Sequence, residues 1–134
     1  MASYRILQHT VLLSNYVGEV DDVATYQVTV LRHCYCPADE GVSMGSHGKQ
    51  PNDNSVLYIF DSRTVAESED GMPRKYLPYQ DWKKLADKTP YWTLSDSGED
   101  FFRRLGGHTD FRINGFSHKV AGTRRMWHFE VSGK

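Results

Sequence analysis

The residues of this chain best suited by type and spacing to chemistry are His33, Cys34, Cys36 and His47, since thiolate and imidazole are the ligands that hold zinc in a tetrahedron. A structural zinc site ordinarily brings two ligand pairs, each with a short spacer, and here one Cys-x-Cys stands without a second cysteine pair. The competing reading makes Cys34 and Cys36 small buried hydrophobes of a strand. It is the expectation for a chain whose only two cysteines are too close in sequence for a loop-closing disulfide. Three more histidines, His108, His118 and His128, recur at ten-residue intervals. Meeting would require three strands in one register, and strand alternation puts His128 opposite the buried face of its own segment.

Carboxylates come in adjacent pairs: Asp21 with Asp22, Asp39 with Glu40, Glu69 with Asp70, and Glu99 with Asp100. A general acid and base need different environments around one cleft, whereas all these pairs fall in polar turns and read as surface charge. Ser14, Ser43 and Ser97 lack the setting of an activated nucleophile, and Gly41, Gly45 and Gly48 have no following Lys-Ser or Lys-Thr to cradle a phosphate. The arginine doublets are Arg103-Arg104 and Arg124-Arg125, the second close to Trp127. That combination suits a phosphate backbone, but two arginines in a hairpin turn are more often solvated or paired with a neighbouring subunit. No catalytic residue, metal or cofactor is expected from these patterns.

The elements that must position these residues read as short strands. The cleanest pair lies at the end of the chain. Trp127, Phe129 and Val131 alternate with Met126, His128 and Glu130, the period of a strand with one buried face. Before it, Phe111 and Ile113 hold one phase while Phe116, His118 and Val120 hold the other, so a bulge is expected at Gly115, and Gly122 marks the turn. Near the start, Tyr4 to Leu13 is rich in β-formers, Gly18 to Val23 is an acidic turn, and Tyr26, Val28 and Val30 define an inner face. Carrying that even phase forward places Cys34 and Cys36 inside as well. Pro37 to Asn54 is a long polar loop in which Val42 and Met44 are the sizeable apolar residues, placed either to meet a partner or to cover the protein's own core.

Ser55 to Asp61 reads as a central strand filled on both faces, and Ser62 to Lys75 as a solvated excursion. Pro78 suits the first turn of a helix that buries Trp82, Leu85 and Ala86 and stops at Thr89-Pro90, and Tyr91 to Leu94 returns to strand. Ser95 to Gly107 fits a capped helical turn burying Phe101, Phe102 and Leu105, or a strand burying the same residues. The sum is a single mainly β domain over residues 1–134, a small β-barrel or sandwich of about six strands with one or two short helices and long loops.

Composition bounds the function. Apolar residues are 39% and aromatics 13% of 134 residues, enough for a real core without staples. With 16 Lys and Arg against 17 Asp and Glu there is no net positive field to draw nucleic acid or an acidic membrane. The two unpaired cysteines fit a reducing compartment, and no apolar run approaches the ~20 residues that span a bilayer.

Several stretches together resemble the small head-to-tail connector proteins of tailed bacteriophages, the head-closure or stopper group also called minor capsid proteins. The matching stretches are Thr10-Val-Leu-Leu-Ser-Asn, Ala24-Thr-Tyr-Gln-Val-Thr-Val-Leu-Arg-His-Cys-Tyr, Asp53-Asn-Ser-Val-Leu-Tyr-Ile-Phe and Trp92-Thr-Leu with Gly98-Glu. The close is Phe111-Arg-Ile-Asn-Gly-Phe-Ser-His-Lys-Val-Ala-Gly with Met126-Trp-His-Phe-Glu-Val-Ser-Gly. The order and spacing of the pieces carry the resemblance, which covers most of the chain; between Ser95 and Gly107 the chain departs from it with an insertion rich in Phe and Arg.

The resemblance implies a non-enzymatic virion protein. It would be made in the host bacterial cytoplasm and form a ring of its own copies in the neck. There it would touch portal or adaptor and tail proteins, while packaged DNA passes the channel without sequence-specific binding and no membrane is involved. The interface residues expected on this reading are Val42, Met44, His47, Lys49, Arg63, Glu69, Lys75, Arg103, Arg104, Arg124 and Arg125. One of the two long segments, 37–54 or 62–75, would reach toward the channel or the adjoining ring. The competing function is a small β-barrel enzyme or metal-binding module built on His33, Cys34, Cys36 and His47.

Overall fold

The computed structural model describes residues 8–37 and 55–134. Val42, Met44, His47 and Lys49, and with them residues 38–54 of one of the two segments expected to reach a partner, lie outside the described residues. Six strands of four residues or more form the body: β1 (His9–Val20), β2 (Val23–Cys34), β3 (Ser55–Phe60), β7 (Phe101–Arg104), β8 (Phe111–Lys119) and β9 (His128–Gly133). Three shorter ones, β4 (Val65–Glu67), β5 (Lys75–Tyr76) and β6 (Tyr91–Trp92), bring the number among the described residues to nine. Among the described residues there are also one helical turn, α1 (Tyr79–Trp82), and a 3-10 turn over Arg124–Met126.

β1 and β2 form a hairpin closed by Asp21 and Asp22 alone, both at positive φ of 53° and 66°, the conformation a two-residue hairpin turn with the strands' own twist requires. The acidic turn expected over Gly18 to Val23 is therefore confined to two residues, and its flanks are strand. The sheet runs in the order β3-β9-β8-β7-β1-β2-β4, and every neighbouring pair is antiparallel. It curls until its ends approach, and beyond β2 the Tyr35 backbone bridges to Tyr58 of β3. One bridge does not make a closed barrel, so the architecture is a coiled, sandwich-like sheet over one core. β3, expected to be central, lies at the end of the sheet order with that bridge on its outer side.

The core is built from Val11 and Leu13 of β1, Leu31 of β2, Leu57 and Ile59 of β3, Phe102, Phe111, Ile113, Phe129 and Val131, with Trp92 and Leu94 closing one side. Two bulges set its phase. In β8 the pairing slips between Ile113 and Gly115, as the change of alternation foretold. In β2 His9 faces Cys34 and Thr10 faces Arg32, which leaves His33 as the extra residue at φ 63°. That second bulge corrects the reading of β2. Thr29 and Leu31 are fully buried, whereas of the expected face Val30 is buried but Tyr26 and Val28 only partly, and the one-residue slip at His33 then turns Cys34 and Cys36 inward. The cysteines are buried as expected, by a different route.

Ser95 to Gly107 resolves as strand β7 with Phe102 buried, while Leu105, expected inside, is exposed. α1 starts after Pro78 and buries Trp82 as expected, but it lasts a single turn and Ala86 is exposed. The excursion after β3 is less solvated than its composition suggested. β4 pairs with β2, Ser68 Oγ accepts the amides of Asp70 and Met72 to close the bend, and Arg74 returns to the body. Among the described residues no helix is long and apolar enough to cross a membrane.

Candidate functional site

The zinc reading finds no support in the geometry. Cys34 and Cys36 are free and buried, and the Cys34 thiol lies 3.4 Å and 3.5 Å from the carbonyls of His9 and Leu31, to which it donates. Burial first, and the neighbouring Cys36 second, push the Cys34 thiol up to about 12, so it stays protonated and is a poor ligand and nucleophile. His33 points outward at its bulge, and His47 lies outside the described residues. Among the described residues no three His, Cys, Asp or Glu side chains gather around a metal-sized space. The three spaced histidines are not brought together either. His118 stacks on Phe129 at 4.0 Å on the core side, and His128 lies over Phe60 on the outer face.

His128 is held between two acceptors: its Nδ1 is 2.9 Å from the Met126 carbonyl and its Nε2 is 3.0 Å from Glu130 Oε2. A neutral imidazole has one N–H, so satisfying both acceptors calls for the imidazolium. Partial burial, the largest influence, lowers its pKa, but the Met126 carbonyl and Glu130 together outweigh it and the net shift is upward.

Of the acid pairs, Asp39 with Glu40 lies outside the described residues, and the others are exposed with one exception. Asp100 is 3% exposed, its Oδ1 accepts the Tyr16 amide at 2.8 Å and its Oδ2 accepts the Asn15 side-chain amide at 2.9 Å. Asn15 in turn donates to the Thr93 carbonyl at 2.9 Å, so one buried cluster ties β1, the strand that follows α1, and the entry to β7. Desolvation raises the Asp100 pKa against the opposing donors. With every oxygen occupied by structural donors, its work is positional.

The feature with chemical capacity lies elsewhere, in a cleft of about 340 Å³ at the place where the β4–β5 side of the molecule faces the ends of β3 and β8. Its floor is the turn after β3, where Thr64 Oγ1 accepts the Phe60 amide and donates to the His33 carbonyl at 2.9 Å. Asp61 and His118 meet there at 2.7 Å. Arg74 reaches across to the Val28 carbonyl and Thr29 Oγ1 at 2.7 and 2.9 Å, its guanidinium drawn below the ordinary arginine value by burial and held up by Glu69. Lys75 and Arg124 stand at the rim, exposed and without an ion-pair partner among the described residues. Tyr76 gives an apolar wall; burial raises its phenol pKa.

Cleft chemistry follows from this set. An Asp–His pair resembles the orienting half of a nucleophilic triad, but of the two hydroxyls lining the cleft Thr64 already spends its oxygen on two backbone partners, and the Tyr76 phenol is held protonated by burial. What remains is a basic, partly aromatic recess suited to holding an acidic group. A scan against protein-family models matches none, and searches of curated proteins and of solved structures return no significant match.

Of the interface residues expected from sequence, Lys75 and Arg124 are brought to this one cleft. Arg63 and Glu69 lie in the flanking turns, Arg103 pairs with Asp110 at 3.5 Å, and Arg104 donates to the Cys36 carbonyl at 3.1 Å, while Arg125 is exposed beside Arg124. Asp61 and Arg74 carried no signal in the sequence, since Asp61 and His118 are 57 residues apart and Arg74 sits in a stretch that read as solvent-facing.

Proposed function

We propose that this protein is a structural component of a tailed-phage virion, a head-to-tail connector that assembles as a ring of its own copies in the neck and acts without catalysis. The observation that carries the reading is the placement of its exposed apolar side chains. Val20 and Val23 at the β1–β2 turn are 61% and 64% exposed, and Met126 and Val120 beside the β8–β9 turn are 61% and 55% exposed. These are unlike patches on different elements of a firm β body, and a cyclic ring is made from a heterologous contact in which one patch meets a different one on the next copy. The near-balanced charge permits copies to crowd. The sequence resemblance to head-closure proteins supplies the assembly in which such a ring would work.

The metal or enzyme reading is favoured by no observation of the described residues, because the Cys34 thiol is protonated and committed to carbonyls. The test is imaging with mass measurement. The purified protein, over a range of concentrations, is expected to give closed rings by electron microscopy and a matching oligomer mass, and the chain is expected in neck density of intact particles. A protein monomeric throughout, and missing from purified particles, overturns the proposal.

A further inference from the structure

We infer that the β1–β2 turn of one copy docks into the cleft rimmed by Lys75 and Arg124 of the next copy, so that these two surfaces are the halves of the ring contact. The inference rests on the ring reading and names its interface.

The first half is an arm. β1 pairs with β7 only over Val11–Ser14, and β2 pairs with β4 only over Val30–Arg32. Beyond Gln27, whose side chain donates to the Tyr91 carbonyl, the hairpin continues to Asp21 and Asp22 with no strand of the described residues on either side. At its base Tyr16 packs on Tyr26 and Tyr26 on Phe101, at 5.8 and 5.0 Å. A two-stranded ribbon is marginal in water by itself. This one also carries Val17, Val20 and Val23 exposed at its end, together with Glu19, Asp21 and Asp22, none of which forms an ion pair among the described residues. Its end is therefore an acidic turn flanked by valines.

The second half complements it. The carboxylate in the cleft, Asp61, is already matched to His118, and Arg74 is committed to Val28 and Thr29 beside Glu69, which leaves Lys75 and Arg124 as positive groups in excess around a recess with an aromatic wall.

The arm cannot serve its own cleft. The cleft is tied to β2 from the Val28 carbonyl, through Arg74, to the His33 carbonyl, through Thr64, whereas the arm ends at Val23. At the rise of a strand the cleft therefore begins roughly 15 Å and ends roughly 30 Å from the arm's end, and the paired ladder carries that end away from it. An arm at one end and a socket at the other make a head-to-tail contact, which is the requirement for a ring.

The test uses two variants of the full chain. Asp21→Asn with Asp22→Asn removes the charge of the arm while keeping residues that tolerate positive φ. Lys75→Glu with Arg124→Glu reverses the rim on two exposed side chains. Each variant alone is expected to associate at least about tenfold more weakly than the native protein by sedimentation velocity. Mixed in equal amounts they are expected to give dimers and no larger species, since one intact arm and one intact socket remain. Val20→Cys and Arg124→Cys in separate copies are expected to cross-link with a short reagent. Rings that form unchanged in both variants, or a Val20→Cys chain in particles that cross-links to a different virion protein, overturn the docking and leave the ring reading standing. A native protein that never self-associates, and is missing from particles, overturns both.

Discussion

The backbones of Tyr35 and Tyr58 exchange two hydrogen bonds, 3.1 Å from the Tyr35 amide and 2.8 Å from the Tyr58 amide, and this bridge joins the far end of β2 to the outer strand of the sheet. Above it the rings of His9, Tyr35 and Tyr58 stack in series at 5.7 Å for each step. The bridge is short, so the stack is expected to supply much of what holds the curled sheet together. Tyr35→Ala removes both ring contacts and is predicted to destabilise by about 1–2 kcal/mol. In a domain of this size that lowers Tm by on the order of 3–8 °C, while Tyr35→Phe stays near the native value. Thermal unfolding followed by circular dichroism decides it, and an unchanged Tm for Tyr35→Ala would show that the sheet ends are held by other means.

Asp100 predicts a pH dependence of defined sign. Its folded pKa is raised above the ordinary carboxylate value of 3.8, chiefly by desolvation. The folded state thus binds this proton more tightly than the unfolded state. The associated stability is present below the unfolded pKa and is lost as pH rises through the folded pKa. In Asp100→Asn one amide hydrogen-bond donor is turned against the Tyr16 amide or the Asn15 side chain, a loss of about 1–3 kcal/mol. Urea unfolding of both proteins from acid to neutral pH is expected to show a deficit largest at the acid end that narrows as pH rises. A gap that widens with pH would contradict this account.

His128 gives the complementary case. Its pKa is raised above 6.5 by the Met126 carbonyl and Glu130 in spite of the opposing effect of burial. Its stabilisation is complete below the unfolded pKa and fades as pH climbs through the folded one. An NMR titration of the imidazole is expected to place the midpoint above 6.5, and Glu130→Gln to move it down. A midpoint insensitive to Glu130→Gln would remove the side-chain pair from the explanation.

Much of the strand pattern was legible because alternation and turn residues are local properties: the β8–β9 pair, the bulge near Gly115 and the helical turn after Pro78 all follow from neighbours in sequence. The phase of β2 was not, because a bulge at His33 needs no glycine and no proline to mark it, and a one-residue slip exchanges the two faces of a strand. Asp100 looked like its exposed neighbour Glu99; only the arrival of β1, with the Asn15 side chain and the Tyr16 amide, gives it partners inside. For the same reason the cleft was invisible. Lys75 and Arg124 were named singly, but the pairing of Asp61 with His118 that leaves them as the free positive charges depends on β3 and β8 ending side by side.

Cys34 separates the structural reading of the cysteines from the metal-binding one. With a thiol pushed up to about 12, its thiolate fraction at pH 8 is on the order of one in ten thousand. Native Cys34 is expected to resist iodoacetamide until the protein is unfolded in urea, after which it labels at the rate of a free thiol. Added zinc is expected to leave Tm unchanged, since a metal that bound only the folded state would raise it. Rapid native labelling together with a zinc-dependent rise in Tm would restore the metal site.

Gly133 shows how close the packing is at the last strand. A Cβ built there would lie 2.8 Å from Phe102 Cε2 and 2.9 Å from the Cβ of Phe111, nearer than real side chains approach. Phe102 and Phe111 are buried, and their rings pack together at 5.6 Å, so neither has open space to move into. Gly133→Ala, a small substitution in an otherwise permissive β conformation, is therefore predicted to cost about 1–3 kcal/mol through overpacking. Phe102→Leu in the same chain shortens the clashing ring. It is expected to be destabilising alone but to recover part of the loss in the double variant, giving a non-additive cycle. Equilibrium unfolding of the four proteins tests this, and strict additivity would mean that the strain is relieved by β9 shifting outward instead of by the Phe102 ring.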